Sequence, residues 1–93
     1  MFVVVVRCEL HLPGAGSLKA KRAVLNRLKD RLRGSGPVAV AEVGHADLWQ
    51  RTALGLAVVS GSAGHADELT AALRSVVERE VEAVLLEWQE ERY

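Results

Sequence analysis

The chain has one cysteine, two prolines and four aromatic residues, Phe2, Trp49, Trp88 and Tyr93. A lone thiol, Cys8, excludes an internal disulfide. The start of the chain also lacks the basic leader and small-residue cleavage site of a secretory signal, so the expected compartment is the cytoplasm. No apolar run approaches the ~20 residues that a membrane span needs, so no membrane partner is expected and the chain reads as soluble. Net charge is absent too, with twelve Lys and Arg against twelve Asp and Glu. What is present is a hydrophobic fraction of 49% in 93 residues. That is enough for one domain, of a size that buries about 60–65% of the surface its unfolded chain exposes.

The zero net charge hides an asymmetry. Residues 1–33 carry eight Lys or Arg against Glu9 and Asp30, whereas residues 64–93 carry eight acids against Arg74, Arg79 and Arg92. Seven of the basic residues fall between Ser17 and Arg33, and the implied dipole suits nucleic-acid contact at the basic end. Head-to-tail self-association and plain solubility account for it equally well.

Hydrophobic periodicity orders the elements. Phe2 to Leu12 alternates Val4, Val6, Cys8, Leu10 and Leu12 with Val3, Val5, Arg7, Glu9 and His11, the period-two pattern of a strand. Pro13-Gly14-Ala15-Gly16 breaks it, and Ser17 is an N-cap for a helix whose apolar stripe is Val24, Leu25, Leu28 and Leu32. Lys21 falls inside that stripe, where its ammonium must reach water or a carboxylate, and Glu42 is the carboxylate expected to meet it. Gly34-Ser35-Gly36-Pro37 ends the helix. Val38–Val43 and Thr52–Ser60 read as two strands of a hairpin, joined by a loop or a helical turn capped by Asp47. A second helix follows Gly61–Gly64, with Asp67 and Glu68 expected in its first turn and a stripe of Ala66, Leu69, Leu73, Val76 and Val77. Residues 81–90 fit either a continuation of that helix or a last strand. The strand is favoured because it covers the nearly all-apolar first strand. The result is an α+β, ferredoxin-like βαββαβ fold, an antiparallel sheet with two helices on one face.

Three constellations are candidates for function. Lys19, Arg22, Arg27, Lys29, Arg31 and Arg33 form an exposed helix face suited to phosphates, and the turn at Gly16, Ser17 and Lys19 offers an anion seat on free backbone N–H groups. It does not fit the Walker pattern, and an ordinary capped helix explains it as well. The sheet face left open by the helices carries Val3, Val5, Ala57 and Val59, with Leu85 joining them and Arg7, Glu9 and Glu87 as a rim. A contiguous apolar patch there suits a homodimer or another protein. It offers no stacking platform of the RNA-recognition-motif type, and Trp49 and Trp88 are expected to pack at the sheet edge or an interface. Finally, His11, His45, His65, Asp47 and Glu42 show neither metal-ligand spacing nor a paired nucleophile, so no metal, cofactor or catalytic residue is expected.

The segments SLKAKR after LPGAG, AEV at Ala41–Val43 and DLWQRT at Asp47–Thr52 together resemble the YlxP-like family of small bacterial proteins, nearly end to end. The resemblance implies a ferredoxin-like fold, no assigned activity, and a gene neighbourhood with translation factors and a ribosome-binding factor. The leading expectation is therefore a non-enzymatic module binding structured RNA or a ribosomal subunit through the first helix. A protein-interaction or homo-oligomeric module using the open sheet face is the alternative. A hydrolase of a small phosphate compound is weaker, because Pro13–Gly16 does not match the Arg-bearing phosphate loop of acylphosphatases, which share the fold.

Overall fold

The computed structural model describes residues 1–93 and runs β1 (Phe2–His11), α1 (Leu18–Gly34), β2 (Ala39–Gly44), β3 (Arg51–Ser60), α2 (Ala63–Glu78) and β4 (Val84–Arg92). The four strands form one antiparallel sheet in the order β2-β3-β1-β4, with both helices on one face: the ferredoxin-like arrangement. No helix is long and apolar enough to cross a membrane.

Strand alternation decides the two faces. Val4, Val6, Cys8 and Leu10 of β1 stand opposite Val58, Leu56, Leu54 and Thr52 of β3, and all eight are buried under Leu25, Leu28 and Leu32 of α1 and Ala66, Leu69, Leu73 and Val77 of α2. Each fully buried Leu or Val stabilises the fold by about 1.5–3 kcal/mol. The other face carries Val3, Val5, Arg7, Glu9 and His11 opposite Val59, Ala57, Gly55, Ala53 and Arg51.

Three expectations need correction. Leu85 does not join the open face: the β1–β4 register shifts between Glu9 and Leu10, so Leu85 pairs with Leu10 and packs on the core. The bulge turns Leu85 to the other face, as one inserted residue does. Residues 81–83 form a turn and the last strand begins only at Val84. The α2 cap is Ser62, whose Oγ accepts from the His65 N–H, so the helix starts early and Asp67 and Glu68 lie beyond its first turn. Asp67 instead meets Arg92 at the end of β4. Of the two forms expected for the segment between β2 and β3, the structure has the loop, with a turn at Ala46–Asp47 in which the Leu48 N–H donates to the His45 carbonyl and a bend at Trp49–Gln50.

Local chemistry fixes the connections. Ser17 Oγ accepts from the Ala20 N–H at 3.0 Å and caps α1. The turn after α1 passes through Gly36 at φ 146°, where a Cβ would stand 2.7 Å from Leu69 Cδ1; only glycine suits both demands.

Lys21 is a charged side chain sealed between α1 and the sheet, 2% exposed. Its Nζ lies 2.9 Å from Glu42 Oε2 and donates to the carbonyls of His45 at 2.8 Å and Ala46 at 3.4 Å. Thr52 Oγ1 donates to the same Glu42 oxygen at 2.6 Å. Burial alone would raise the Glu42 pKa, but the hydrogen bonds from Thr52 and Lys21 and the charges of Lys21 and Lys29 outweigh it and hold the carboxyl below its ordinary range. Desolvating an ammonium costs several kcal/mol, and charge-assisted hydrogen bonds return about 1.5–3 kcal/mol each. The cluster therefore roughly breaks even in energy and contributes geometry: it ties α1 to β2 and to the turn that follows.

Lys21→Met should lose about 2–4 kcal/mol in urea unfolding, because it strands a half-buried carboxylate and two carbonyls, while Lys21→Met with Glu42→Leu should recover at least half of that. A single-variant loss below about 1 kcal/mol would contradict this account of the cluster.

Candidate functional site

The basic helix divides into two sides. At 100° per residue, Lys19, Arg22, Asn26, Lys29 and Arg33 fall within an arc of about 80° on the outer surface of α1. Arg27 and Arg31 point the other way, to the segment between α2 and β4. There Arg27 pairs with Glu82, and Arg31 Nη1 lies 2.5 Å from Glu80 Oε2. The Glu80 side chain is 2% exposed, and its second oxygen accepts from the Glu82 N–H at 3.3 Å. The acidic C-terminal part of the chain thus folds against part of the basic helix, and the charge asymmetry of the sequence is partly cancelled by contact. Lys19, Arg22 and Lys29 have no acid within 4.0 Å, and the exposed Arg33 meets only Asp30, at 3.8 Å. Among the anion-seat residues, Ser17 Oγ is already used by the cap and the Ser17 carbonyl accepts from the Lys21 N–H. Gly16 has open space where a side chain would stand, and Lys19 belongs to the outer stripe.

The open sheet face has an apolar part and a polar part. Val5, Val43 and Val59, at 39%, 49% and 57% exposure, rise around a trough lined by Ala39, Ala41, Gly55 and Ala57. Val3 stands beside Val59 across the β1–β3 pair.

At the other end of β1, Glu9, expected on the rim beside Arg7, gathers His45 and Arg51 as well. His45 Nε2 donates to it at 3.1 Å, and Arg7 and Arg51 stand at 3.7 and 3.9 Å. Burial works to raise the Glu9 pKa, but the hydrogen bond and charge of His45 and the charges of Arg7 and Arg51 pull it below the ordinary carboxylate range. Arg7 lies across Gly44, where a Cβ would come within 2.8 Å of its Nη2. His45 sits at φ 59°, a left-handed conformation uncommon outside glycine, held there by the Lys21 hydrogen bond to its carbonyl. The buried lysine thereby aims an imidazole at a carboxylate on the opposite side of the sheet.

The turn between β2 and β3 is pinned at its far end as well. The Gln50 carbonyl accepts from the Leu12 N–H at 2.9 Å and from His11 Nδ1 at 3.0 Å, and Gln50 Nε2 donates to the Pro13 carbonyl at 3.3 Å. Between these ties Leu48 and Trp49 stand half exposed. Trp88, by contrast, is partly buried on the core, donates its N–H to Glu90 and lies under the Arg74 guanidinium. Trp49 therefore does not take the sheet-edge packing that was one of its two expected places. Exposure of a loop aromatic has no periodic signature, so the sequence held no signal for it.

Of the remaining candidates, His11 serves the Gln50 carbonyl, Glu42 serves Lys21, and no three His, Cys, Asp or Glu side chains gather at metal-binding distance. Cys8 is buried, and desolvation pushes its thiol up to about 11.

The Arg31–Glu80 pair makes Arg31 a structural residue, against the expectation that all of the helix's exposed basic positions are free to contact a partner. Arg31→Ala should lose about 1–3 kcal/mol of stability by leaving a buried carboxylate unpaired, whereas Arg22→Ala should stay within about 0.5 kcal/mol. Equal losses in urea unfolding would contradict the division of the helix.

The fold is similar to that of a C-terminal segment of the alpha subunit of aIF2 from Pyrococcus abyssi, at 19% identity and a TM-score of 0.57, over 90% of this chain and 49% of that one. It is also similar to the de novo designed protein Foldit4, at 9% identity and a TM-score of 0.60, over 100% and 97% of the two chains. At these identities the likeness concerns the fold alone. In sequence, 55 residues are 49% identical to the uncharacterized protein YlxP of Bacillus subtilis (strain 168), an alignment covering 59% of this chain and 60% of that protein. The family model described as protein of unknown function (DUF503) matches residues 3–90, and the chain belongs to this YlxP-like family.

Proposed function

We propose that the protein is a non-enzymatic module that binds structured RNA, free or within a ribosomal particle, through the outer stripe of α1. The observation that carries the reading is the unequal use of the helix's charges. Arg27 and Arg31 are spent on Glu82 and Glu80, while Lys19 and Arg22 are exposed without an acidic partner and the half-buried Lys29 makes no ion pair, though its charge acts on Glu42. From residue 19 to residue 33 the stripe is about 21 Å long at 1.5 Å per residue, enough to meet several phosphates of a duplex. The binding-module reading is supported by how the reactive side chains are employed: the thiol is buried, His45 is held by Glu9, and Thr52 and Ser17 are committed to Glu42 and the α1 cap. The cytoplasm, where such RNA is found, is the compartment this reading requires.

Lys19→Glu, Arg22→Glu and Lys29→Glu together should weaken binding to a structured RNA at least tenfold at 50 mM salt, and should lower the slope of log affinity against log salt by about 2–3. The thermal midpoint should fall only modestly, because Lys19 and Arg22 are exposed and only the half-buried Lys29, whose charge acts on Glu42, touches the packed structure. Unaltered affinity in the triple variant would overturn the reading.

A second reading rests on a different observation, the exposed valines around the Gly55–Ala57 trough. Small residues at its floor allow close approach, and we propose that a second copy covers Val3, Val5, Ala57 and Val59 with two-fold symmetry. Sedimentation at micromolar concentration should then show a dimer that Val5→Glu converts to a folded monomer; a monomeric wild-type protein would remove this reading.

A further inference from the structure

We infer that the turn between β2 and β3 is a seat for an unpaired nucleobase, stacked on the Trp49 indole with its neighbouring phosphate on Arg51. This inference rests on the RNA reading above and names the kind of RNA: one with unpaired residues, engaged by the DLWQRT segment in addition to the helix stripe.

Trp49 is 52% exposed, and its indole N–H makes no hydrogen bond within the chain. An exposed indole offers a flat face on which a base can stack. The loop that displays it is rigid at both ends, through the Lys21 ammonium on the His45 and Ala46 carbonyls and through the three hydrogen bonds at Gln50. Little ordering entropy therefore remains to be lost when a ligand arrives.

The surroundings are polar in a way that suits a nucleotide. Asp47, Leu48, Trp49, Gln50 and Arg51 line one open depression. Arg51 has a buried Nε with no hydrogen-bond partner, and its Nη2 stands 3.9 Å from Glu9, beyond hydrogen-bond range. The buried Nε is out of a ligand's reach, but the Nη groups keep unspent donors, and Arg51 and Trp49 line the same depression. Asp47 supplies an acceptor for a base N–H. A ring face, a cationic fork and a single acceptor match a base with its phosphate, since every base has a π-face and single-strand sites combine stacking with backbone charge. A purely apolar peptide segment would leave both charges unanswered. Arg7 on the adjoining sheet face and Lys19 and Arg22 near the start of α1 add positive charge, offset in part by Glu9.

The test uses the full chain carrying Trp88→Phe, in which Trp49 is the sole tryptophan, titrated with an RNA hairpin bearing an unpaired loop and with the blunt duplex of its stem. The hairpin should quench Trp49 emission and bind at least fivefold more tightly than the duplex. Trp49→Ala, read by electrophoretic mobility with the same two RNAs, should abolish that preference and leave duplex affinity unchanged, while Trp49→Phe should keep most of it. If both RNAs bind alike and Trp49 emission does not move, the nucleobase seat is overturned and the helix stripe stands. If neither RNA binds, the RNA reading fails and the seat falls with it.

Discussion

A single ammonium buried between a helix and a sheet is the constraint on which the rest of this molecule depends. Lys21 occupies a position in the α1 stripe that periodicity reserves for an apolar side chain, and its charge is tolerable only because Glu42 and two loop carbonyls meet it. Those acceptors come from β2 and from the turn after it, so satisfying the charge requires that the turn fold back toward α1. The conformation of His45, the contact of its ring with Glu9 and the attitude of Trp49 all follow from where that turn is held. A hydrophobic residue at position 21 would pack as well and specify none of this.

Charge elsewhere is arranged so that some of it cancels. The acids of the segment after α2 neutralise one side of α1 and leave the other side free, and Asp67 takes up Arg92 at the end of the sheet. A surface that looks uniformly basic along the sequence thus becomes a narrow stripe. The cations of the open face are organised differently, around one carboxylate that none of the arginines reaches within hydrogen-bond distance. Arg51 keeps donor capacity there, and Trp49 stands half exposed in the depression that Arg51 also lines.

Much of this was legible in the residues. Element order, the Ser17 cap and the two faces of β1 followed from period-two and period-3.6 patterns, which burial enforces wherever one side is covered. The Lys21–Glu42 contact was legible for the opposite reason, as a violation: a charge in an apolar stripe must find a partner. Leu85 was misplaced because a bulge changes strand parity without leaving a compositional mark. The Arg31–Glu80 pair was invisible because the two residues are 49 positions apart and Glu80 sits in a turn whose burial depends on packing. The start of α2 was shifted because Ser62 and Gly64 both permit a cap, and the hydrogen bond to His65 decides between them. The exposure of Trp49 is a property of a loop, where neither period applies.

The most direct test of the central claim is to observe the Lys21 ammonium itself by nitrogen-detected nuclear magnetic resonance at neutral pH. An ammonium sealed from water and held by three oxygen acceptors should give a slowly exchanging signal near room temperature, with through-space contacts to protons of Glu42 and His45. A Lys21 signal that exchanges as fast as those of Lys19 and Lys29 would mean that the ammonium reaches solvent, and that the turn between β2 and β3 is not held as described.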